Sequence, residues 1–249
     1  MANMLRAFRC DLHIHTCLSP CAELELYPSA LVRKAVAEKL DVIAICDHNA
    51  SENCPYVMRA AAGTALTVLP GMEITSREEV HLLALFDALP PLRQLQKIIY
   101  AHLPGDNDEQ RFGCQAIVND RDEVEGFNPR LLIGATELAL DDLLLRIHAL
   151  GGIAIASHID RESFSVISQL GDVGPDMPFD ALEISTMLGL AGARKRYPTQ
   201  MHYPFVTSSD AHRIADIGKG VTEFILKIPV VEELQWAFAG QKGRRIAGC

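Results

Sequence analysis

Cys10-Asp11-Leu12-His13-Ile14-His15-Thr16 is the stretch on which the reading of this chain turns. Two histidines stand one residue apart at the end of a short apolar run. Side chains in a strand repeat every two residues, so both imidazoles leave one face. Two imidazoles side by side at a strand end are poor core material and good metal ligands. The run Phe8–Ile14 therefore predicts a strand that delivers a metal-binding pair, provided that other parts of the chain supply partners.

Further apolar, β-rich runs follow at Asp41–Cys46, Leu66–Leu69, Val80–Phe86, Ile153–Ala156, Ala181–Ile184 and Phe205–Ser208. An eighth, Thr222–Ile228, is expected to pair at an edge or to close the sheet. Helical patterns fill most gaps. Tyr27-Pro28-Ser29 followed by Ala30–Leu40 reads as a capped start and an amphipathic body. Leu92–Leu103 and Thr136–Leu150 also read as helices, the second ending at Gly151-Gly152. A last helix is expected at Val230–Phe238, behind Pro229. Strand–helix alternation over the whole length predicts a parallel α/β architecture. The polar, irregular stretch Pro104–Leu132 breaks the rhythm and reads as an insertion within a single domain spanning 1–249; long excursions of this kind often cover a site.

Composition narrows the function classes. The chain has 249 residues, 49% of them hydrophobic, enough for a sizeable core. No apolar stretch reaches the roughly 20 residues that span a bilayer, and Met1–Arg6 lacks the apolar core of a signal peptide. A soluble, cytoplasmic protein is expected. Seven cysteines, an odd number, predict reduced thiols. The net charge of −9 argues against a broad nucleic-acid-binding surface, so nucleic acid is an unlikely partner. It leaves an anionic small substrate open, because bound divalent cations reverse the local field. Oligomeric state is not legible.

The polar residues at the predicted strand ends carry the chemistry. Asp47 and His48 follow the second run, and Glu73 follows Leu69-Pro70-Gly71-Met72. His158 follows Ile153–Ser157, and Asp210 and His212 follow Phe205–Ser209. His81 differs, because it falls near the start of its run. Loops after strand C-termini share one face in parallel α/β folds, and ligands bind there. Six of nine histidines lie in such positions. Nitrogen and carboxylate ligands suit zinc, manganese or iron better than calcium. Arg161, at the same strand end as His158, is a candidate phosphate clamp, with a surface pair to Glu162 as the alternative. Asp11, Asp47, Asn49 and Glu183 are placed to orient imidazoles. Arg194, Lys195 and Arg196 read as a solvated helix face. His102, His148 and His202 read as structural or surface residues.

In order, these motifs resemble the PHP (polymerase and histidinol phosphatase) superfamily. His13-Ile14-His15 resembles its first motif, Asp47-His48 its second, Ala156-Ser157-His158 its third and Ser209-Asp210-Ala211-His212 its fourth. Gly71-Met72-Glu73 and Val80-His81-Leu82 match the intervening Glu and His. The resemblance implies a distorted seven-stranded (β/α)7, TIM-like barrel with two or three divalent metal ions at its C-terminal face. Carried over by position, one metal would take His13, His15, Glu73 and Asp210. Glu73 would bridge to a second, held also by His81 and His158. A third would take His48, His212 and a residue shortly after the first motif. There the chain departs from the pattern: five positions after His15 stands Pro20, which has no ligating side chain, leaving Cys21, Glu23 or Glu25 as candidates.

The implied activity is metal-dependent hydrolysis of a phosphoester in a small phosphorylated metabolite or nucleotide, with a metal-bridging hydroxide as nucleophile. Asp210, His212 and Arg161 are the candidate catalytic residues, the first two as acids assisting the leaving group. The competing readings are a non-catalytic metal-binding PHP module and a nuclease acting on nucleic acid ends.

Overall fold

The computed structural model describes residues 4–248; residues 1–3 and Cys249, the seventh thiol, lie outside them. The chain opens β1 (Arg6–Ile14), α1 (Pro28–Ala37), β2 (Val42–Ile45), α2 (Cys54–Ala60), β3 (Thr67–Thr75), β4 (His81–Leu85) and α3 (Leu89–Ala101). The segment that breaks the rhythm holds α4 (Glu109–Phe112) and the hairpin β5 (Ala116–Val118) and β6 (Val124–Phe127). Then come α5 (Leu140–Ala149), β7 (Ile153–Ala156), α6 (Val166–Leu170), β8 (Ala181–Ile184), α7 (Gly189–Arg196), β9 (Phe205–Thr207), β10 (Thr222–Leu226), α8 (Val231–Phe238) and β11 (Arg245–Ile246).

All seven runs read as core strands lie in one curled sheet, ordered β11-β10-β1-β2-β3-β4-β7-β8-β9. The sheet has nine strands rather than seven, because β10 and β11 add antiparallel at the outer edge of β1. Its curl brings the chain after β9 back to β1, through the bridge Ile14–Ala211 and the bond from His15 N–H to Ala211 O at 3.1 Å. Thr222 Oγ1 also ties β10 to the Thr207 backbone, at 2.8 Å as donor and acceptor.

The architecture is not wholly parallel. β4 runs antiparallel to both β3 and β7. Only Ser76–Val80 separates β3 from β4, and a parallel return needs a crossover of a dozen residues or more. This reversal resolves the anomaly of His81. The start of β4 lies at the same end of the sheet as the C-termini of its neighbours, and Thr75 pairs with His81.

Side chains alternate across the strands. Ile43 and Ile45 join the cluster under α1, α3 and α5, with Leu31, Val32, Leu95, Ile99, Leu143 and Ile147. Val42, Ala44 and Cys46 face the opposite cluster, with Leu12, Leu83, Ile155 and Phe224, closed by Val231 and Leu234 of α8. Each large side chain so buried is worth about 1.5–3 kcal/mol. α5 begins at Leu140, four residues later than the sequence pattern: Thr136 spends its N–H and hydroxyl on Thr75 O, both at 2.9 Å, holding 136–139 against β3. Gly71 is required by packing, since a Cβ there would lie 2.6 Å from Leu85 and 2.9 Å from a β4 carbonyl.

The insertion is ordered. Its hairpin docks on the loop after β1 through Asn53, whose amide reaches Thr16 Oγ1 (2.9 Å) and Ala116 O (3.1 Å). Leu132 and Leu103 bury against Leu18 and Ala50. No helix of the described residues is long and apolar enough to cross a membrane.

Candidate metal centre

The structure brings His13, His15, His48, Glu73, His81, His158, Asp210 and His212 to one end of the sheet. Glu73 is the hub. Its Oε1 lies 3.1 Å from His81 Nδ1 and 3.4 Å from both His13 Nε2 and His158 Nε2; its Oε2 lies 3.2 Å from His48 Nδ1 and 3.4 Å from His15 Nε2. Asp210 Oδ1 sits 3.2 Å from Nε2 of both His13 and His15, which are themselves 3.2 Å apart.

Local structure aims these groups. The β1–β2 register shifts between Asp11 and Ile14, a bulge that re-aims the side chains beside it. His158 and Asp210 have φ of +28° and +47°, a region that non-glycine residues occupy at a cost of order 1–3 kcal/mol and mostly where function holds them.

Hydrogen bonds behind the rings set their tautomers. Glu183 accepts from His13 Nδ1 (3.0 Å) and from the His158 backbone N–H (3.1 Å). Ser19 donates its hydroxyl to Asp47 (2.7 Å), so it must accept from His15 Nδ1 (2.9 Å). His212 Nδ1 donates to the Asp210 carbonyl at 2.9 Å. In the neutral form of each ring the lone pair then lies on Nε2, facing the site, the arrangement expected of metal-ligating histidines. Asp47 acts on His15 through Ser19, whereas Asp11 and Asn49 do different work. Asp11 accepts from the N–H groups of Ser209 and Gly218, both at 2.9 Å. Asn49 holds Leu132 O, Gly134 O and the Thr75 N–H, anchoring the end of the insertion.

Charge in the cluster is shared. Burial alone would raise Glu73 and Asp210, but the surrounding imidazoles hold both well below the usual carboxylate range. Burial works against charge on His13 and His15 too, yet the carboxylates prevail: His13 is pushed well up and His15 to about 9. His48 is driven well below its ordinary value, first by burial and then by the neighbouring rings. His212 falls to about 4, by burial and by charge on His15.

Whether these residues suit a metal is decided by their lone pairs. His48 Nδ1, Glu73 Oε1, His81 Nδ1 and Asp210 Oδ1 are buried without a partner in hydrogen-bond geometry. Orphaned buried polar atoms cost about 1–3 kcal/mol each, and four gathered around Glu73 and Asp210 fit a group that satisfies them together. Three compact sets of ligand atoms, each within 4.8 Å, can be drawn: His13, His15 and Glu73; His48, Glu73 and His81; and His15, Cys21, His48 and His212. His48 thus belongs to two sets, where the sequence placed it in one.

Arg161 pairs with Asp210 Oδ2 at 2.5 Å rather than with Glu162, and its side chain stays 46% exposed. It lines two cavities. The smaller, about 180 Å³, opens on His48, Glu73, His81, His158 and His212. The larger, about 530 Å³, lies beside it and is lined also by Ser185, Met187, Ser208 and Arg196. Arg196 is exposed, as expected of a solvated helix face, and also lines this cavity. Phe164, which stacks on His81 at 4.7 Å, has no signal in the sequence. His102, His148 and His202 bond Ile98 O, Asp180 and Thr199 O, away from the cluster.

A curled α/β sheet that converges six imidazoles and two carboxylates on one rim defines a metal-hydrolase class of site. The chain belongs to the PHP domain family, which matches residues 11–164. A PHP-associated family matches residues 194–237. Comparison with curated proteins finds no match. Among solved structures, the chain is similar to a lesion-specific endonuclease from Pyrococcus furiosus, with TM-score 0.70 and 17% identity over 97% of this chain and 58% of the other. The same figures, at 18% identity, hold for Endonuclease Q bound to a 27-mer duplex with an abasic lesion. The chain thus spans little more than half the length of those proteins. An amidohydrolase from Chromobacterium violaceum with bound sulfate and no metal gives TM-score 0.59 and 21% identity, covering 84% of this chain and 89% of that one. A candidate metal-dependent phosphoesterase from Bifidobacterium adolescentis gives 0.56 and 18%, covering 82% and 87%. At such identities the likeness is one of fold.

Proposed function

We propose that this single-domain protein hydrolyses a phosphoester bond in a small phosphorylated metabolite or nucleotide, using two or three divalent ions (zinc, manganese or iron) held by the Glu73-centred cluster. The observation that carries this is the set of orphaned buried lone pairs facing a cavity that also holds Arg161. His13, His15, Glu73 and Asp210 would hold one ion. Glu73, His81 and His158, with His48 alongside, would hold a second. Bound ions of this kind lower the pKa of water and neutralise phosphate charge.

This chain's residues do the remaining work. Glu183 and Ser19 lock the tautomers of His13 and His15. Arg161, released from Asp210 when that carboxylate is otherwise engaged, offers a planar fork to phosphate oxygens. Arg196 adds positive charge on the far side of the larger cavity, where the rest of the substrate would lie. Phe164 and Ile133 wall the smaller cavity and limit water. The net charge of −9 favours a small substrate over nucleic acid.

A second reading, cleavage of nucleic acid, draws on the fold shared with Endonuclease Q across nearly the whole of this chain. One panel tests both. Purified protein loaded separately with zinc, manganese or iron is offered phosphomonoesters, phosphodiesters, nucleotides and duplexes with or without an abasic site. Turnover of small phosphoesters is expected; cleavage of duplex alone would replace the first reading with the second, and no turnover at all would sink both.

A further inference from the structure

We infer that Cys21, as a thiolate, supplies the ligand that Pro20 cannot, completing a zinc site with His48 and His212. This rests on the metal-dependent reading above and commits its third site to one chemistry.

Pro20 is the device that presents the cysteine. The Ala22 N–H donates to Ser19 O at 3.0 Å, closing a β-turn with Pro20 at its second position and Cys21 at its third. Proline fixes φ at the second position of such turns, so the residue that removes one ligand fixes the direction of the next. Both ends of the turn are tied to the cluster. Ser19 bonds His15 and Asp47 (2.9 and 2.7 Å), and the Glu23 N–H donates to His212 O at 2.9 Å. The insertion supports the turn from outside, where a Cβ on Gly113 would lie 3.1 Å from Pro20 O.

Cys21 therefore stands between the segments that carry His15, His48 and His212, with one donor atom of each of the four within 4.8 Å. The His48 ring is 4% exposed, and with its Nδ1 turned to Glu73 Oε2 at 3.2 Å its Nε2 is the atom left for Cys21 and His212. The alternatives do not reach: Glu23 turns to Arg213 at 3.5 Å, and neither Glu23 nor Glu25 joins a compact ligand set among the described residues.

One sulfur and two imidazole nitrogens, with water in the fourth position, make a tetrahedral donor set that selects zinc over manganese or magnesium. The sets around Glu73 are richer in oxygen and less selective. Binding exchanges the thiol proton for the metal and releases it to solvent.

The test reads the metal, not turnover. The full chain is loaded with zinc, freed of excess and measured by elemental analysis and zinc-edge X-ray absorption; a cobalt(II) derivative is measured by optical spectroscopy. Wild type should show a sulfur neighbour at about 2.3 Å and a thiolate-to-cobalt charge-transfer band. Cys21→Ala should lose both, together with one equivalent of zinc, while Cys114→Ala keeps them. Cys21→Asp should recover the equivalent without the sulfur. A zinc-loaded wild type with no sulfur neighbour, or Cys21→Ala with an undiminished one, overturns the assignment. The wild-type measurement decides even if the alanine variant does not fold. Since no substrate is present, absence of turnover in the panel above bears on the hydrolase reading alone.

Discussion

Asp47 and Glu73 are buried carboxylates at neighbouring strands, 0% and 1% exposed, and they are held in opposite ways. Asp47 is saturated: it accepts from Thr16 N–H (2.7 Å), Thr16 Oγ1 (2.8 Å) and Ser19 Oγ (2.7 Å). Asp11, also buried, likewise spends its two oxygens on backbone N–H groups. Burial dominates for both and raises them, Asp11 to about 6. Glu73 and Asp210 have orphaned oxygens and imidazole neighbours, which pull them down. Residue type and burial do not separate structural from functional carboxylates here; hydrogen-bond saturation does.

Glu73→Gln should break the comparison at its functional end. The amide keeps the shape but loses the charge that several imidazoles share. Loss of a metal's contribution of several kcal/mol predicts at least about a thousandfold fall in kcat/KM, with at least one metal equivalent missing by elemental analysis. Retention of metal and rate would mean that Glu73 is another Asp47.

At the structural end, Asp47→Ala leaves Thr16 and Ser19 without their acceptor. Denaturant unfolding of the metal-free protein should show a loss of about 3 kcal/mol. A loss no larger than that of Glu73→Gln in the same metal-free assay would erase the distinction.

Glu183 lies between the two classes, saturated by His13 and the His158 backbone yet acting on the site through them. Glu183→Gln should weaken metal binding by about 10–100-fold, with little loss of stability, as titration against a chelator would report. An unchanged affinity would place Glu183 with the structural carboxylates.

The smallest effect is one of pH. His15 is raised to about 9 in the metal-free protein, so below that pH a proton must leave before metal can bind. Apparent affinity should therefore rise with pH through neutrality by up to about tenfold per unit for each proton released, levelling for His15 near 9. An affinity flat from pH 6 to 9 would contradict the charge sharing described for the cluster.

Much of this was legible in the chain itself. All seven runs read as core strands form, because β-rich apolar segments bounded by polar turns have little else to become. The ligand residues were legible because imidazoles and carboxylates at strand ends have poor structural uses in bulk. The extra strands β10 and β11 and the reversal of β4 were less so, since pairing direction depends on partners remote in sequence. Arg161 illustrates the limit. Its place at a strand end was visible, but its pairing with Asp210 rather than the adjacent Glu162 is a contact across 49 positions.

The sequence by itself determined the donor atoms and their order along the chain, because ligand chemistry resides in residue type. The tertiary structure alone decided which of them meet. The reversed β4 carries His81 to the rim, the turn at Pro20 places Cys21 beside three imidazoles, and saturation sets Asp47 apart from Glu73. Those outcomes depend on backbone direction and on hydrogen bonds between distant segments, which no local stretch of residues encodes.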